Sequence, residues 1–127
     1  MEHLAPEVRG ALAADLVIDI TTTGRHTGQK RRLEIWFLNL DDTIFIMGAS
    51  GRRDWFANLL ANPDFEFHLK ESTTADLVAH AEPIDDPDLR RTVFAAATER
   101  WKLDASTFDE SKHRAPLVRV TFPVADQ

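Results

Sequence analysis

The sequence predicts an α+β fold, mainly β: a small, mostly antiparallel barrel of about six strands, with two or three helices packed at its rim. Three observations lead there. Apolar and polar residues alternate in several short segments, the period of strands with one buried face. Longer segments repeat at helical spacing instead. The links at Asp41-Asp42 and Glu71-Ser72 are two residues long, far too short for the crossovers of a parallel sheet.

Pro6 to Ala14 reads as a short first helix, with proline in its first turn and alanines after it. Leu16, Ile18 and Ile20 alternate with Val17, Asp19 and Thr21 in a half-buried strand that runs into a basic loop. Arg31 to Leu40 follows as a long strand. Leu33, Ile35 and Phe37 fall on one face, Glu34, Trp36 and Leu38 on the other, so both faces are expected to be largely covered. Asp41-Asp42 turns the chain into a strand from Thr43 to Ala49, rich in β-branched and aromatic residues.

A helix is expected from Asp54, its N-cap, to the stop at Asn62-Pro63. Trp55 with Leu59 and Phe56 with Leu60 are i,i+4 pairs that give it a buried stripe. Phe65, Phe67 and Leu69 alternate with Glu66, His68 and Lys70, a strand with one wet face. Thr73 to Ala81 is its partner. Asp86-Pro87 opens the longest helix, whose apolar face carries Leu89, Val93, Ala96, Ala97 and Trp101. After an irregular stretch, Leu117 to Val124 forms the last strand. No repeat or linker divides the chain, so residues 1–127 are expected to form one domain with a single core.

Composition narrows the function. The charged fraction is 28% and the hydrophobic fraction 43%, ordinary for a globular chain. No apolar run approaches the roughly 20 residues of a membrane span. An acid at Glu2 replaces the basic start of a signal peptide, so a cytoplasmic location is expected. Without cysteine there is no disulfide framework and no thiolate metal site. The net charge of -6 argues against nucleic acid as a partner.

Against that negative background stands Thr21 to Arg32, with Arg25, Lys30, Arg31 and Arg32 and no carboxylate among them. Gly24 and Gly28 permit tight backbone, so that amide N–H groups converge, and guanidinium forks clamp an oxyanion. A phosphate or carboxylate ligand is implied, although a basic turn of this kind also serves as a plain solvated hairpin. The stretch lacks the spacing of a P-loop, and it runs into a strand where a Rossmann fingerprint runs into a helix. Arg52 and Arg53 sit at the start of the helix near Asp54, a position that attracts anions. If the fold brings both clusters together, they form one anion site.

Other chemistry finds little support. The five histidines are scattered without metal-helix spacing, so no metal site is expected. His68 and His80 read as solvated, and His26, in the basic loop, is the one placed to meet a ligand. No serine lies in a nucleophile elbow. Asp41-Asp42 and Asp85-Asp86 are explained by turn and cap roles. Side chains offering no acid–base or nucleophilic pattern point to a bound cofactor that carries the chemistry.

Three motifs together resemble the deazaflavin-dependent nitroreductase family: Thr22-Thr23-Gly24-Arg25-x-Thr27-Gly28-x-x-Arg31, then Trp36-Phe37-Leu38, then Trp55-x-x-Asn58-Leu59-x-Ala61-Asn62-Pro63. The resemblance spans roughly Leu16 to Leu69. It implies a split β-barrel, related to the flavin-binding pyridoxamine-phosphate-oxidase fold, that binds reduced coenzyme F420 and passes a hydride to a quinone, enone or nitroaromatic.

Arg25, Thr27, Gly28, Lys30, Arg31 and Arg32 would hold the coenzyme's phosphate and glutamate tail. Ser50, Gly51, Arg52, Arg53, Trp55 and Asn58 would lie near the ring system or the phosphate. The segment before Trp55 is shorter than in many relatives, and the chain has no tyrosine. Phe56, Trp101 and Phe108 stand in roughly comparable places, leaving aromatic walls without a phenolic proton donor. Two alternatives remain: FMN as cofactor, or a non-catalytic protein binding a cofactor or lipid-like ligand. A monomer and a homodimer are equally compatible with the sequence.

Overall fold

The computed structural model describes residues 2–48, 54–108 and 114–124. Within them six strands close into a barrel in which every pairing is antiparallel. They are β1 (Val17–Thr23), β2 (Lys30–Leu40), β3 (Thr43–Met47), β4 (Asp64–Leu69), β5 (Ala75–Pro83) and β6 (Leu117–Thr121). Their order around the barrel is β1-β2-β3-β6-β5-β4, and β4 pairs back onto β1. Three helices dress it: α1 (Pro6–Ala14), α2 (Asp54–Ala61) and α3 (Pro87–Trp101). A 3-10 turn spans Ala105–Phe108. The expected small antiparallel barrel with helices around it is the one observed.

The interior is filled by the inward residues of alternating strands. Ile18, Ile20, Phe37, Ile46, Phe67 and Val118 are all buried there, and Phe37 and Phe122 each meet the Phe67 ring edge-on, at 5.6 Å and 5.1 Å. α1 and α2 add Leu12, Trp55 and Leu59 to the same core. A second apolar layer lies outside the barrel, where Leu38, Phe45 and Met47 are covered by Val93, Phe94 and Ala97 of α3. β3 is therefore buried on both faces, which explains its unbroken apolar sequence.

Local signals account for the ends of several elements. Asp86 caps α3, its carboxylate accepting from the Leu89 amide at 3.0 Å, and Lys102 ends the helix in the left-handed region at φ 55. Asp41 and Asp42 both take positive φ, 51 and 67, as a two-residue hairpin turn of the primed type requires. The Glu71 carboxylate accepts from the Leu16 and Val17 amides at 2.8 Å and 2.6 Å, tying the β4–β5 turn to the start of β1.

Several expectations are corrected. Both faces of β2 are covered only from Phe37 onward. The outer face of its first half, Lys30, Arg32, Glu34 and Trp36, is exposed, and Trp36, at 39% exposed, meets Trp101 of α3 in a T-shaped contact. Leu60 is exposed, so the Phe56–Leu60 pair is not a buried stripe; the covered residues of α2 are Trp55, Asn58 and Leu59. α2 is described from Asp54 onward, and the residues before it lie outside the described ones.

His68 is not solvated but 3% exposed. Its ring sits between Thr21 Oγ1 and Asp76 Oδ1, each 2.7 Å from a ring nitrogen, so cross-strand neighbours cover it on the barrel's outer side. β6 ends at Thr121, and β5 is displaced two residues toward the C-terminus. β3 ends at Met47, and Ala49 lies outside the described residues.

Candidate functional site: a basic cleft at the barrel mouth

β1 continues to Thr23 and β2 begins at Lys30, so the basic loop proper is only Gly24 to Gln29. Its backbone is closed on itself: the Gly24 amide donates to the Gln29 carbonyl at 2.8 Å, and the Gly28 amide to the Gly24 carbonyl at 2.9 Å. Gly28 takes φ +71, where a side chain would be strained. A Cβ at Gly24 would meet Thr27 Oγ1 at 3.0 Å and the Gln29 carbonyl at 3.3 Å. Gly28 is thus required by its backbone angle, and a side chain at Gly24 would crowd Thr27 and Gln29.

Two amide side chains of α2 and its exit staple the loop to the barrel. Asn58, 6% exposed, accepts on Oδ1 from the Arg25 amide at 3.1 Å and from Arg25 Nη1 at 3.0 Å. Its Nδ2 donates to the fully buried Thr22 hydroxyl at 3.4 Å. Asn62 donates to the Thr23 carbonyl at 3.3 Å. These bonds explain why two asparagines stand four residues apart, one on α2 and one just past its end, where the helix meets the loop.

Between loop and helix lies a cleft of about 420 Å³, walled by Arg25, His26 and Thr27 of the loop, Arg31 to Leu33 of β2, and Asp54, Trp55 and Asn58 of α2. Strand alternation sorts the basic residues. Arg31 lies opposite Thr22 on the inward side, at the rim of the mouth. Lys30 and Arg32 belong to the outer side: Lys30 Nζ donates to Thr23 Oγ1 at 3.0 Å, and Arg32 Nε donates to Asp19 Oδ2 at 3.0 Å.

Lys70 joins that outer network, 2.7 Å from Asp19 Oδ1 and 2.5 Å from Glu34 Oε2. The Lys70 hydrogen bond first, and the Arg32 one after it, hold the Asp19 carboxyl below its ordinary range against the opposing effect of burial.

Of the residues named from the sequence, Arg25, Thr27, Arg31, Arg32, Trp55 and Asn58 therefore share this cleft, and Gly28 shapes its loop. Lys30 does not line it. Ser50, Gly51, Arg52 and Arg53 lie outside the described residues. The Arg31 guanidinium and the His26 ring have no polar partner among the described residues. Sequence reading did not single out Thr22 or Asp54 as cleft residues, nor Arg90, a buried arginine of α3 that donates to the Ile84 and Ala115 carbonyls at 2.7 Å and 2.6 Å.

The donor set fits an oxyanion ligand: guanidinium groups, a ring N–H and hydroxyls around an opening floored by Leu33 and Trp55. A sequence model of the F420H(2)-dependent quinone reductase family matches residues 3–114. The chain belongs to this family. As a family member it is an oxidoreductase, and its redox cofactor is reduced coenzyme F420.

Solved structures agree on the fold. A structure of an F420-H2-dependent reductase, FDR-A, superposes with a TM-score of 0.66 at 17% identity, over 84% of this chain and 95% of that one. A conserved hypothetical protein from Mycobacterium tuberculosis gives 0.69 at 20% identity, covering 94% and 81%. The heme storage protein HutZ from Vibrio cholerae gives 0.73 at 16%, covering 96% and 92%. At such identities the similarity speaks for the barrel alone. Among the described residues no cluster of His, Asp and Glu has the arrangement of a metal site, and no helix is long and apolar enough to cross a membrane.

Proposed function

We propose that the cleft binds the anionic part of reduced coenzyme F420, its phosphate and glutamate carboxylates, and that the electron acceptor is a quinone. The observation that carries this reading is the Arg31 guanidinium at the mouth, which has no polar partner among the described residues, beside an Arg25 held in place by a neutral asparagine. A guanidinium with no counter-ion among the described residues, in a protein of net charge -6, is a strong anion receptor.

In this reading Arg25 and Arg31 grip the oxyanions, and Thr27 and Arg32 add donors at the edge. Asn58 fixes Arg25 rather than reaching for the ligand, since its acceptor oxygen already takes two N–H bonds. Trp55 and Leu33 keep water from one wall. Residues Ser50 to Arg53 complete the proposal as phosphate or ring contacts. When bound, the coenzyme supplies a hydride.

The chain's part is then to orient the ring against the acceptor and exclude competing water. With no tyrosine in the sequence, no phenol is available to deliver protons. Reduction of a quinone needs one proton on an oxygen anion, which water at an open cleft provides. Nitro reduction, with repeated proton-assisted N–O cleavage, is served less well.

Fluorescence titration with the coenzyme tests the binding half, and oxidation of the reduced coenzyme by menadione tests the acceptor half. Micromolar binding that weakens with added salt, together with menadione turnover, is the expected result. Bound flavin absorbance in the purified protein, with no response to F420, would transfer the reading to FMN. Binding without turnover would leave a carrier.

A further inference from the structure

We propose that Asp54 is an internal competitor for the anion: its carboxylate occupies the outer edge of the Arg25 guanidinium until a phosphate or carboxylate of the ligand takes its place. This rests on the reading that the cleft binds the coenzyme's anionic part, and it assigns that site a built-in brake on affinity.

The two ends of Arg25 are held differently. Nη1 donates to Asn58 Oδ1 at 3.0 Å, and Asn58 is neutral, buried and bonded on its other side to Thr22. That end is fixed. Nη2 lies 3.5 Å from Asp54 Oδ1, beyond a well-formed N–H···O distance, and the Asp54 side chain is 93% exposed. Among the described residues Asp54 has no other polar side-chain partner. The contact is therefore a loose Coulombic one, held by a side chain free to turn into solvent.

Asp54 also walls the same cleft as Arg31 and Arg32, and it brings a negative charge to a site whose other charged groups there are positive. A phosphate offers a fork of oxygens to the same Nη2 edge, with a second guanidinium at Arg31 to share, so it outcompetes a single monodentate carboxylate. The displaced carboxylate then faces the bound anion and repels it. The consequence is a faster release of the coenzyme than the arginines alone would allow. Release matters for an enzyme whose hydride donor must leave oxidised and be replaced.

The competing explanation is purely structural: an acid in the first turn of α2 favours the helix dipole. Affinity separates the two. The full chain and its Asp54→Asn variant are titrated with F420 and with the deazaflavin core that carries only the ribityl chain and lacks the phosphate and glutamates. Competition predicts that Asp54→Asn binds F420 about fivefold more tightly, the size of one exposed ion pair, with a slower dissociation rate. Affinity for the phosphate-free core stays unchanged.

An equal F420 affinity in the two proteins overturns the inference and leaves Asp54 its helix role. Weaker binding by the variant also overturns it, by making the carboxylate a ligand contact. Should Asp54→Asn melt early, Asp54→Ser, a second uncharged residue that suits a helix start, gives the same readout. If the unmodified chain binds no F420, the reading of the cleft falls and this inference with it. If the unmodified chain binds and only the variant comparison fails, the inference alone falls.

Discussion

The cleft at the barrel mouth and the groove along α3 are both lined with arginine and aromatic residues, and they differ in how that charge is used. The groove is the larger, about 830 Å³ against about 420 Å³. Its arginines are all engaged. Arg91 pairs with Asp88 at 3.0 Å, Arg114 with Asp85 at 3.0 Å, and Arg90 is buried beneath, bonded to two carbonyls and lying 5.1 Å from the Phe94 ring centroid. Phe94 in turn stacks on Phe108 at 4.8 Å.

In the cleft, Arg31 has no partner among the described residues, and Arg25 is oriented chiefly by a neutral amide. Cavity size would choose the groove as the binding site. Uncommitted charge chooses the cleft. An arginine already bonded to carbonyls or carboxylates must surrender those bonds to take a ligand, and the exchange gains little.

The comparison can be broken at either end. The largest expected effect belongs to the groove: Arg90→Ala leaves two buried carbonyls without their donor and should cost about 3 kcal/mol of stability, read by urea unfolding. F420 affinity should not change in that variant. Next comes Arg31→Ala, which should weaken F420 binding about thirtyfold, or about 2 kcal/mol, while unfolding shifts by less than about 0.5 kcal/mol. Arg91→Ala, the matched control, should leave F420 affinity unchanged.

Asn58→Ala should show both effects at once. A stability loss of about 1.5 kcal/mol follows from the buried Thr22 hydroxyl and the Arg25 amide losing their partner, and F420 affinity falls several-fold because Arg25 is no longer oriented. The smallest effect concerns Asp19, whose carboxylate holds Arg32 by its Nε at 3.0 Å and leaves the outer nitrogens of that guanidinium to the cleft edge.

The Asp19 carboxyl is held low mainly by Lys70 and then by Arg32, so its folded-state pKa lies below the unfolded value near about 3.9. Its stabilising contribution is present above that value and fades as pH falls through the lowered one. Comparing Asp19→Asn with the parent by thermal melting should show a difference of at most about 1 kcal/mol near neutral pH, vanishing in acid.

Much of this architecture is written in local chemistry. Pro6 and Asp86-Pro87 mark helix starts, Asp41-Asp42 marks a primed turn, and the period of two marks most strands. What fails is what depends on distant cover. Alternation tells that Trp36 and His68 point outward, yet one is left partly wet and the other is enclosed by Thr21 and Asp76. Nothing in the sequence sets Arg90 apart from the other charged residues of α3. Only the folded chain brings the Ile84 and Ala115 carbonyls to it.

The cleft itself was partly legible. Gly24, Gly28 and the arginine cluster announce an anion-binding turn. The separation of Arg31 from Lys30 and Arg32 follows from strand alternation, but only once β2 is known to begin at Lys30. Asp54 offered no signal, because an acid at a helix start already has a sufficient reason to be there.

The most direct test is a crystal structure with F420 bound. The account predicts phosphate oxygens within hydrogen-bond distance of the Arg31 and Arg25 guanidinium groups, with Asp54 turned away from Arg25. Phosphate density in the α3 groove, or on the outer face with Lys30 while Arg31 stays unliganded, would contradict it.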